Sequence, residues 1–485
     1  MSDRKTVVVV GGGMAGLAAA VEASRIGAKV VVIEGQKTTG GNSAKATSGI
    51  NGCQTKAQNV LKIHDSHDLF FGDTLKAGHR ENDVDLVDVL VHNAANAIQF
   101  LDDLGMDLSE VSIGGGHSVP RTHAFPMPPD GKLKPFGATV MRTVFTKLQS
   151  TESDSIPNVE FIFETKVISL ITSDDNSNRV TGVRTKSSSH DEIREIRADA
   201  VILATGGFCS DHDPETSLLK KYAGENIKYP TTNGPFADGS GMKMAEKVGA
   251  QLVDMDKIQI HPTGFIDPNN PKASTKFLAA EALRGSGGIL LNEKGQRFAN
   301  ELGLRDYLTS EILKHCALNE TTGTHTAYLI LNQEAVDKFS RPAFEFYWKI
   351  KKFFNVADNM NQLAQMLSIS LETLRKTISD YNNAKIAVSD PFGKKVFPVS
   401  FKPGEKLYVG SITPVLHYSM GGVKINGRAQ VLRKSDSKTP IEGLYAAGEV
   451  AGGIHGGNRL SGNSYLDCVV FGRIAGINAA TVEQV

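Results

Sequence analysis

The sequence predicts an α/β fold, a Rossmann-like nucleotide-binding domain carrying an inserted α+β capping lobe, on three observations. A β-branched run, Thr6 to Val10, passes straight into Gly11-x-Gly13-x-x-Gly16, an Ala-rich helical segment and a second strand, Lys29 to Ile33, closed by Glu34. Two further apolar runs end on glycines much later in the chain, Ala200 to Gly207 and Gly443 to Gly448. Between them, from about Asp256, polar loops and a helix-rich stretch intervene before glycine-punctuated strands resume near His417. The expected organisation is a discontinuous nucleotide domain, 1–255 and 417–485, with a capping lobe at 256–416 inserted into it.

Each part of the first unit has a physical reason. Gly11 allows the tight turn out of the strand, and Gly13 lets backbone N–H groups approach a pyrophosphate. Ala15 and Gly16 open the helix, where Gly16 permits close helix–strand packing and the helix N-terminus favours negative charge. Gly27 is placed to cap the helix at its C-terminus. Glu34, eighteen residues beyond Gly16, can accept hydrogen bonds from both ribose hydroxyls, and its charge would repel a 2′-phosphate. Taken alone, this unit specifies an adenine dinucleotide, NAD or FAD.

Composition removes several classes. A chain of 485 residues has ample core for more than one lobe. Its 53 basic and 53 acidic residues cancel, so bulk charge points to neither nucleic acid nor an anionic membrane. No apolar run approaches the roughly 18 to 20 residues of a membrane span. With a strand beginning by Thr6, no room is left for a signal or transit peptide; the expected location is cytoplasmic, or organellar if a segment has been removed. Cys53, Cys209, Cys316 and Cys468 are far apart and form no CxxC, haem or iron–sulfur spacing. They read as reduced, mostly buried thiols, and any redox centre beyond the dinucleotide must come from another molecule.

After Glu34 the chain reads Gly40-Gly41-Asn42-Ser43-Ala44-Lys45-Ala46-Thr47-Ser48-Gly49-Ile50-Asn51. So many small polar residues suit a loop whose backbone and hydroxyls line the middle and ring end of the dinucleotide. Residues 84–104 show helical apolar spacing and predict one amphipathic helix. Gly114 to Gly116 and the Pro-rich 119–135 form a long loop, in which His117, Arg121 and His123 are read as surface or structural. Residues 161–200 predict an antiparallel excursion around a polar turn at 173–178, with Val167 within reach of the cofactor. Thr205 and Gly206 end a buried strand at the carboxyl edge of the sheet, where a cofactor sits. Another small-residue loop carries Asp238 and precedes a helix at 242–248. In the helix-rich 334–383, Ser370 is an expected N-cap, with Leu371, Leu374, Ile378 and Tyr381 on one face.

Val415 to Gly422, with His417 and Tyr418, precedes a strand, and a later strand ends on Gly448 and Glu449. Gly456 to Tyr465 then opens a C-terminal helix, through Gly462, Ser464 and Tyr465. A helix N-terminus there can stabilise the anionic side of a reduced flavin. These returns convert "adenine dinucleotide" into an FAD site.

His261, Glu281, Arg284, Arg305, His417 and Arg459 fall in or at the junctions of the inserted lobe, several flanked by glycine. Arginine binds carboxylates in a bidentate fork, so such a set indicates an anionic substrate. No Ser-His-Asp order, metal-ligand run or thiol pair competes. The residues alone lead to a redox flavoenzyme acting on a small acid.

With these residues in place, the chain resembles the fumarate reductase/succinate dehydrogenase flavoprotein family. It is most similar to the soluble branch of flavocytochrome c flavoprotein domains and single-chain yeast-type fumarate reductases. The likeness spans essentially the whole length, through the N-terminal fingerprint, GGNSAKATSGIN, IHPTG, AAEALRG, RFANELGLRD, HYSMGG, LYAAGEV and GGNRLSGNS. It implies FAD extended through the nucleotide domain with its ring against the capping lobe. His417 and Arg459 would hold one carboxylate of a dicarboxylate, and His261 with the Ser48 and Gly462 backbone the other. Arg305 would protonate the carbon next to the one receiving hydride, and Glu281 and Arg284 would return a proton to Arg305. A guanidinium is normally never deprotonated, but donation to a carbanion-like carbon with immediate refilling through Glu281 makes the assignment chemically sensible.

Two departures carry information. Membrane-bound members attach FAD to a histidine in the loop matching Asn42 to Ser48; none stands there, so FAD is expected to be non-covalent. The flavocytochrome branch has a threonine where this chain has Ala280, so one substrate hydroxyl contact is missing. Without haem or iron–sulfur ligands, the expected donor is a diffusible reduced flavin, FAD or FMN, and the expected state a monomer. The leading expectation is reduction of fumarate to succinate. The rivals are reduction of another unsaturated acid of urocanate or acrylate type, ketosteroid dehydrogenation, and a flavin electron carrier without turnover.

Overall fold

The computed structural model describes residues 4–127, 134–150, 159–173, 179–188 and 192–481. Its organising layer is a six-stranded sheet in the order 430–432, 440–446, 200–203, 6–10, 29–33, 159–162. All pairs are parallel except the outermost one, 430–432 against 440–446. Val7 to Val10 and Ala200 to Leu203 are buried, as an unbroken apolar run requires when both sheet faces are covered. The register is level: Val10 lies beside Leu203 and Ile33, and Leu203 beside Ala446. The chain therefore leaves Gly11, Glu34, Thr205 and Gly448 along one edge of the sheet, the position where open α/β sheets bind ligands.

Two helices cover one face of this sheet and pack on each other, Met14–Arg25 and the C-terminal Asn463–Ala480. A methyl group on Gly472 or Gly476 would run into the Ala15 or Ala19 backbone. The alanine-rich character of the first helix thus follows from close helix–helix approach as well as from propensity. Gly27 donates to the Ser24 carbonyl just past the helix end, as the cap expected there should.

The inserted segment builds a second, antiparallel sheet in the order 258–265, 407–419, 327–332, 289–291, with 355–357 also paired to 407–419. It has its own apolar cluster, including Phe265, Leu329, Ile330, Phe344, Phe354 and Tyr381. Helix Leu371–Ala387 contributes Leu374, Ile378 and Tyr381 to it, and the Ser370 hydroxyl caps that helix by accepting from the Thr373 N–H.

Two expectations need correction. Residues 159–162 do not belong to the antiparallel excursion. They form the parallel edge strand beside Lys29–Ile33, because their pairing partner is set by burial against the sheet rather than by the next turn in sequence. The excursion proper is the three-stranded sheet of 165–172, 180–187 and 193–197, and most of the turn expected at 173–178 lies outside the described residues. Residues 84–104 are two helices, Val84–His92 and Ala94–Asp103, broken at Asn93, whose side chain bonds the Val89 carbonyl. The HYSMGG segment does precede a strand, Gly422–Lys424, and its first residues also end the strand Leu407–Ser419, which carries His417 and Tyr418.

All four cysteines are free, Cys468 being half-buried and the others buried. Among the described residues no helix is long and apolar enough to cross a membrane, and no group of histidine, cysteine or carboxylate side chains could hold a metal ion.

Candidate active site

Along the sheet edge, the expected cofactor residues converge. A Cβ at Gly16 would run into the Gly11 carbonyl, which explains why only glycine serves there. The helix beginning at Met14 has no side-chain N-cap and no acidic residue in its first turn, and Ser43 Oγ accepts from the Met14 N–H at 3.1 Å. Orphan N–H groups are thereby left for an anion. Glu34 turns back on the same turn, its Oε2 accepting from the Gly12 N–H at 2.7 Å and its Oε1 from the Gln36 N–H at 2.8 Å. Asn42 bonds Asn233 and the Gly234 N–H. Gly41, Thr47, Ser48 and Gly49 lie in the same loop, which closes on the short strand Ile50–Asn51.

Thr205, Gly206, Gly448 and Glu449 lie at neighbouring strand ends, and Ser464 and Tyr465 in the first turn of the last helix, which also lacks a side-chain cap. The Thr205 and Tyr465 hydroxyls are buried without a hydrogen-bond partner. Uncapped helix ends and orphaned buried hydroxyls are what a phosphate- and hydroxyl-bearing cofactor would satisfy, so the residues present fit FAD. Asp238 is engaged otherwise: one oxygen caps Ser240 N–H and the other pairs with Lys166, beside Val167.

Where the second lobe meets this edge, six candidate residues come together. The strand Ile258–Phe265 brings Gln259 and His261, and its antiparallel partner brings His417 and Tyr418. The pairing skips a residue, Gln259 opposite Tyr418 but Ile260 opposite Leu416, so His417 is the extra residue of a β-bulge. Bulges re-aim side chains beside functional sites. The His261 and His417 rings lie 5.0 Å apart. The short helix Glu281–Gly285 supplies Glu281 and Arg284, and Arg305 opens the helix Arg305–His315. Arg305 Nε donates to Glu281 Oε2 at 3.3 Å, and Arg284 approaches the same oxygen at 3.9 Å. Arg459 stacks over the Tyr418 ring, 4.4 Å from its centroid.

The residue at the centre was not foreseen. Gln259 Oε1 accepts from Arg305 at 2.7 Å and from Arg459 at 3.2 Å, while its Nε2 donates to Asn458 at 2.7 Å and to the Arg459 carbonyl at 2.8 Å. One neutral amide, saturated at both ends, thus fixes the spacing of two guanidiniums. Asn51 plays a similar part, donating to the Ser461 carbonyl and to Asn463 and so tying the 40–51 loop to Gly462. Alternation with His261 along a strand was the available signal for Gln259; an uncharged amide in a strand gives no other.

Electrostatically the cluster is cation-rich and shielded. Burial pushes the His261 and His417 imidazoles well below the ordinary histidine range, and Arg305 and the other nearby cations push the same way. Both rings are therefore neutral. His261 Nδ1 accepts from the Thr263 N–H at 3.2 Å, which puts the proton on Nε2, and that buried N–H has no partner. Arg459 Nε and Arg284 Nε are likewise buried and unpartnered. Burial lowers Arg459 to about 10, with Arg305 adding to it. Burial would raise Glu281, but Arg305 and Arg284 outweigh it and hold the carboxylate ionised. A neutral donor, three guanidiniums and unsatisfied N–H groups describe a pocket for an anion.

Comparison with known proteins is consistent with this chemistry. A family model described as an FAD binding domain matches residues 6–465. The chain is 38% identical over 485 residues to a fumarate reductase of Schizosaccharomyces pombe, covering 99% of this chain and 90% of that protein. It is 38% identical to fumarate reductase 1 of Saccharomyces cerevisiae, covering 97% of each. Among solved structures, the open conformation of a flavocytochrome c3 fumarate reductase superposes with a TM-score of 0.75 at 32% identity, covering 99% of this chain and 78% of that one.

Proposed function

We propose a function from one premise: this chain belongs to the FAD binding domain family, and it is an FAD-dependent oxidoreductase acting on CH–CH bonds. Its substrate in this reading is fumarate, reduced to succinate. The observation that carries the reading is the set of buried, unpartnered donors, His261 Nε2 and Arg459 Nε, beside three guanidiniums of which two, Arg284 and Arg305, share the one carboxylate Glu281. A dicarboxylate supplies the missing acceptors. His417 and Arg459 hold one of its ends, and His261 with the Ser48 and Gly462 backbone holds the other. FAD, bound non-covalently, supplies the hydride that adds to one alkene carbon.

Arg305 gives a proton to the adjacent carbon, so fumarate gains a hydride and a proton and the cofactor is left oxidised. Arg305 suits this part because Gln259 and Glu281 hold its guanidinium from two sides. Its positive charge also stabilises the charge developing on the carbon. Glu281, a carboxylate at rest and bonded to Arg305 Nε, takes up a proton arriving from solvent past Arg284 and passes it to the deprotonated Arg305, which restores both groups. A diffusible reduced flavin, FAD or FMN, is the donor in this reading. The capping lobe is the segment 256–416, whose separate apolar cluster supports treating it as a unit.

The test is anaerobic. The protein is reduced and then mixed with fumarate, with urocanate or with neither. Rapid reoxidation by fumarate alone is expected. Reoxidation by urocanate alone would move the substrate to another unsaturated acid, and reoxidation by neither would leave an electron carrier. Flavin remaining attached after denaturation would overturn the non-covalent assignment.

A further inference from the structure

The Gly114–Gly116 loop and the His117 and Arg121 beside it belong to the nucleotide half of the chain, yet they reach the candidate proton relay. The Gly115 N–H donates to Glu281 Oε1 at 2.6 Å. This leaves Oε2, the other oxygen of the carboxylate, for Arg305 and Arg284. Gly115 is buried while Gly114 before it is half-buried and Gly116 after it exposed, so one turn of surface loop dips inward at this amide. A Cβ at Gly115 would stand 3.0 Å from Glu281 Oε1 and 3.2 Å from the Gly303 carbonyl. Its backbone is not in the left-handed region, so what a side chain meets here is tight space, against the very carboxylate oxygen that the Gly115 N–H binds.

The loop is anchored from behind. Arg121 is fully buried and bonds Asp65 through two nitrogens at 2.8 and 3.0 Å and Asp73 at 2.5 Å. It stacks over Phe70 and also donates to His117 Nδ1 at 3.1 Å. Because Nδ1 faces a guanidinium donor it must accept, so the His117 proton sits on Nε2. That N–H donates to the Ser461 carbonyl at 2.9 Å, and Ser461 Oγ in turn accepts from Arg305 at 3.4 Å. Ser118 adds two bonds to Asp73. A buried charge pair broken on one side is costly, so this base is stiff.

We propose that the Gly114–His117 loop is the positioning element of the proton relay, with Gly115 orienting Glu281 and His117 fixing the Ser461 segment against Arg305. The proposal rests on the reading of Glu281 and Arg305 as proton donors. Neither Gly115 nor His117 touches the reacting atoms; both act through the groups that do.

The experiment uses the FAD-loaded enzyme, reduced anaerobically, with single-turnover reoxidation by fumarate in H₂O and D₂O. Gly115→Ala should retain flavin content and succinate affinity, slow reoxidation on the order of tenfold to a hundredfold and enlarge the solvent isotope effect. His117→Gln, which keeps one acceptor and one donor, should remain close to wild type, whereas His117→Ala should be slowed. Amide exchange supplies a readout independent of turnover: the Gly115 N–H should be protected in wild type and exposed in Glu281→Ala. Wild-type reoxidation rates and isotope effects in Gly115→Ala would overturn the proposal. So would parallel loss of flavin or succinate binding, or an unprotected Gly115 amide in the wild type. Should the wild type reoxidise with urocanate and not fumarate, the substrate reading fails while a slowed Gly115→Ala with urocanate still supports the loop.

Discussion

Two buried charge clusters adjoin in this structure and are built to opposite rules. In one, Arg297 bonds Glu301 and Asp390, and Lys394 bonds Glu301 at 2.8 Å, two cations against two carboxylates with no exposed side chain among them. Burial notwithstanding, Lys394 and Arg297 hold the Glu301 carboxyl down at about 2, and Glu301 and Asp390 hold Arg297 above the ordinary arginine range. Every charge is matched. At the candidate active site, Arg284 and Arg305 share the carboxylate Glu281 while Arg459 pairs with none among the described residues, and burial pulls all three guanidiniums below the ordinary arginine range. Charge and hydrogen bonding are left unfinished there. The clusters touch, since Arg284 donates to the Glu301 backbone carbonyl. The matched cluster is a footing for the unmatched one, and binding capacity resides in what the protein leaves unpaired.

The contrast can be broken most directly at Arg305. Arg305→Ala should keep FAD and succinate binding but lose turnover on the order of a thousandfold, about 4 kcal/mol, in steady-state assays of fumarate reduction. Retention of a tenth of the activity, a loss of only ~1.4 kcal/mol, would remove it from the chemistry. A paired comparison comes next. Lys394→Met leaves Glu301 short of a partner and should cost about 3 kcal/mol of unfolding free energy. Arg459→Met removes a buried cation that has no carboxylate within ion-pair distance among the described residues, so thermal stability should hold or rise. Succinate affinity should nonetheless fall on the order of a hundredfold. Equal destabilisation by both would dissolve the distinction between the clusters.

The same contrast explains what the sequence could disclose. The nucleotide edge was legible because turn, helix and strand end are contiguous and each glycine has a local reason, as at Gly16. The six candidates were legible as a set because arginine and histidine flanked by glycine are costly to place without a use. Gln259 and Asn51 were not, because a neutral amide declares nothing until its partners are assembled from residues 200 and 410 positions away. Arg121 reads from the sequence as surface or structural; it is fully buried, because Asp65 and Asp73 arrive from other elements to pair with it. Register also escaped: the bulge at His417 and the parallel pairing of 159–162 depend on which strand lies alongside.

The smallest effect concerns pH and separates the two clusters again. Glu301 sits at about 2 against an ordinary 4.5, so the stability it contributes is present above pH 4.5 and is lost as pH falls toward 2. Glu449 behaves in reverse. It lies on the cofactor side, where one oxygen accepts from the Ser419 N–H and hydroxyl. Burial raises it to about 7 from 4.5, against those two bonds. Its protonated form is the one the fold favours, so its contribution is present below pH 4.5 and is lost as pH climbs through 7. Unfolding free energy measured from pH 2 to 8 should therefore rise to about pH 4.5 and then decline toward 7. Glu449→Gln keeps an acceptor for Ser419 and cannot ionise, so the decline should disappear while the acid limb stays. Loss of both limbs in that variant would mean that the acid limb does not belong to Glu301, and the matched cluster would then contribute less to the fold than its geometry indicates.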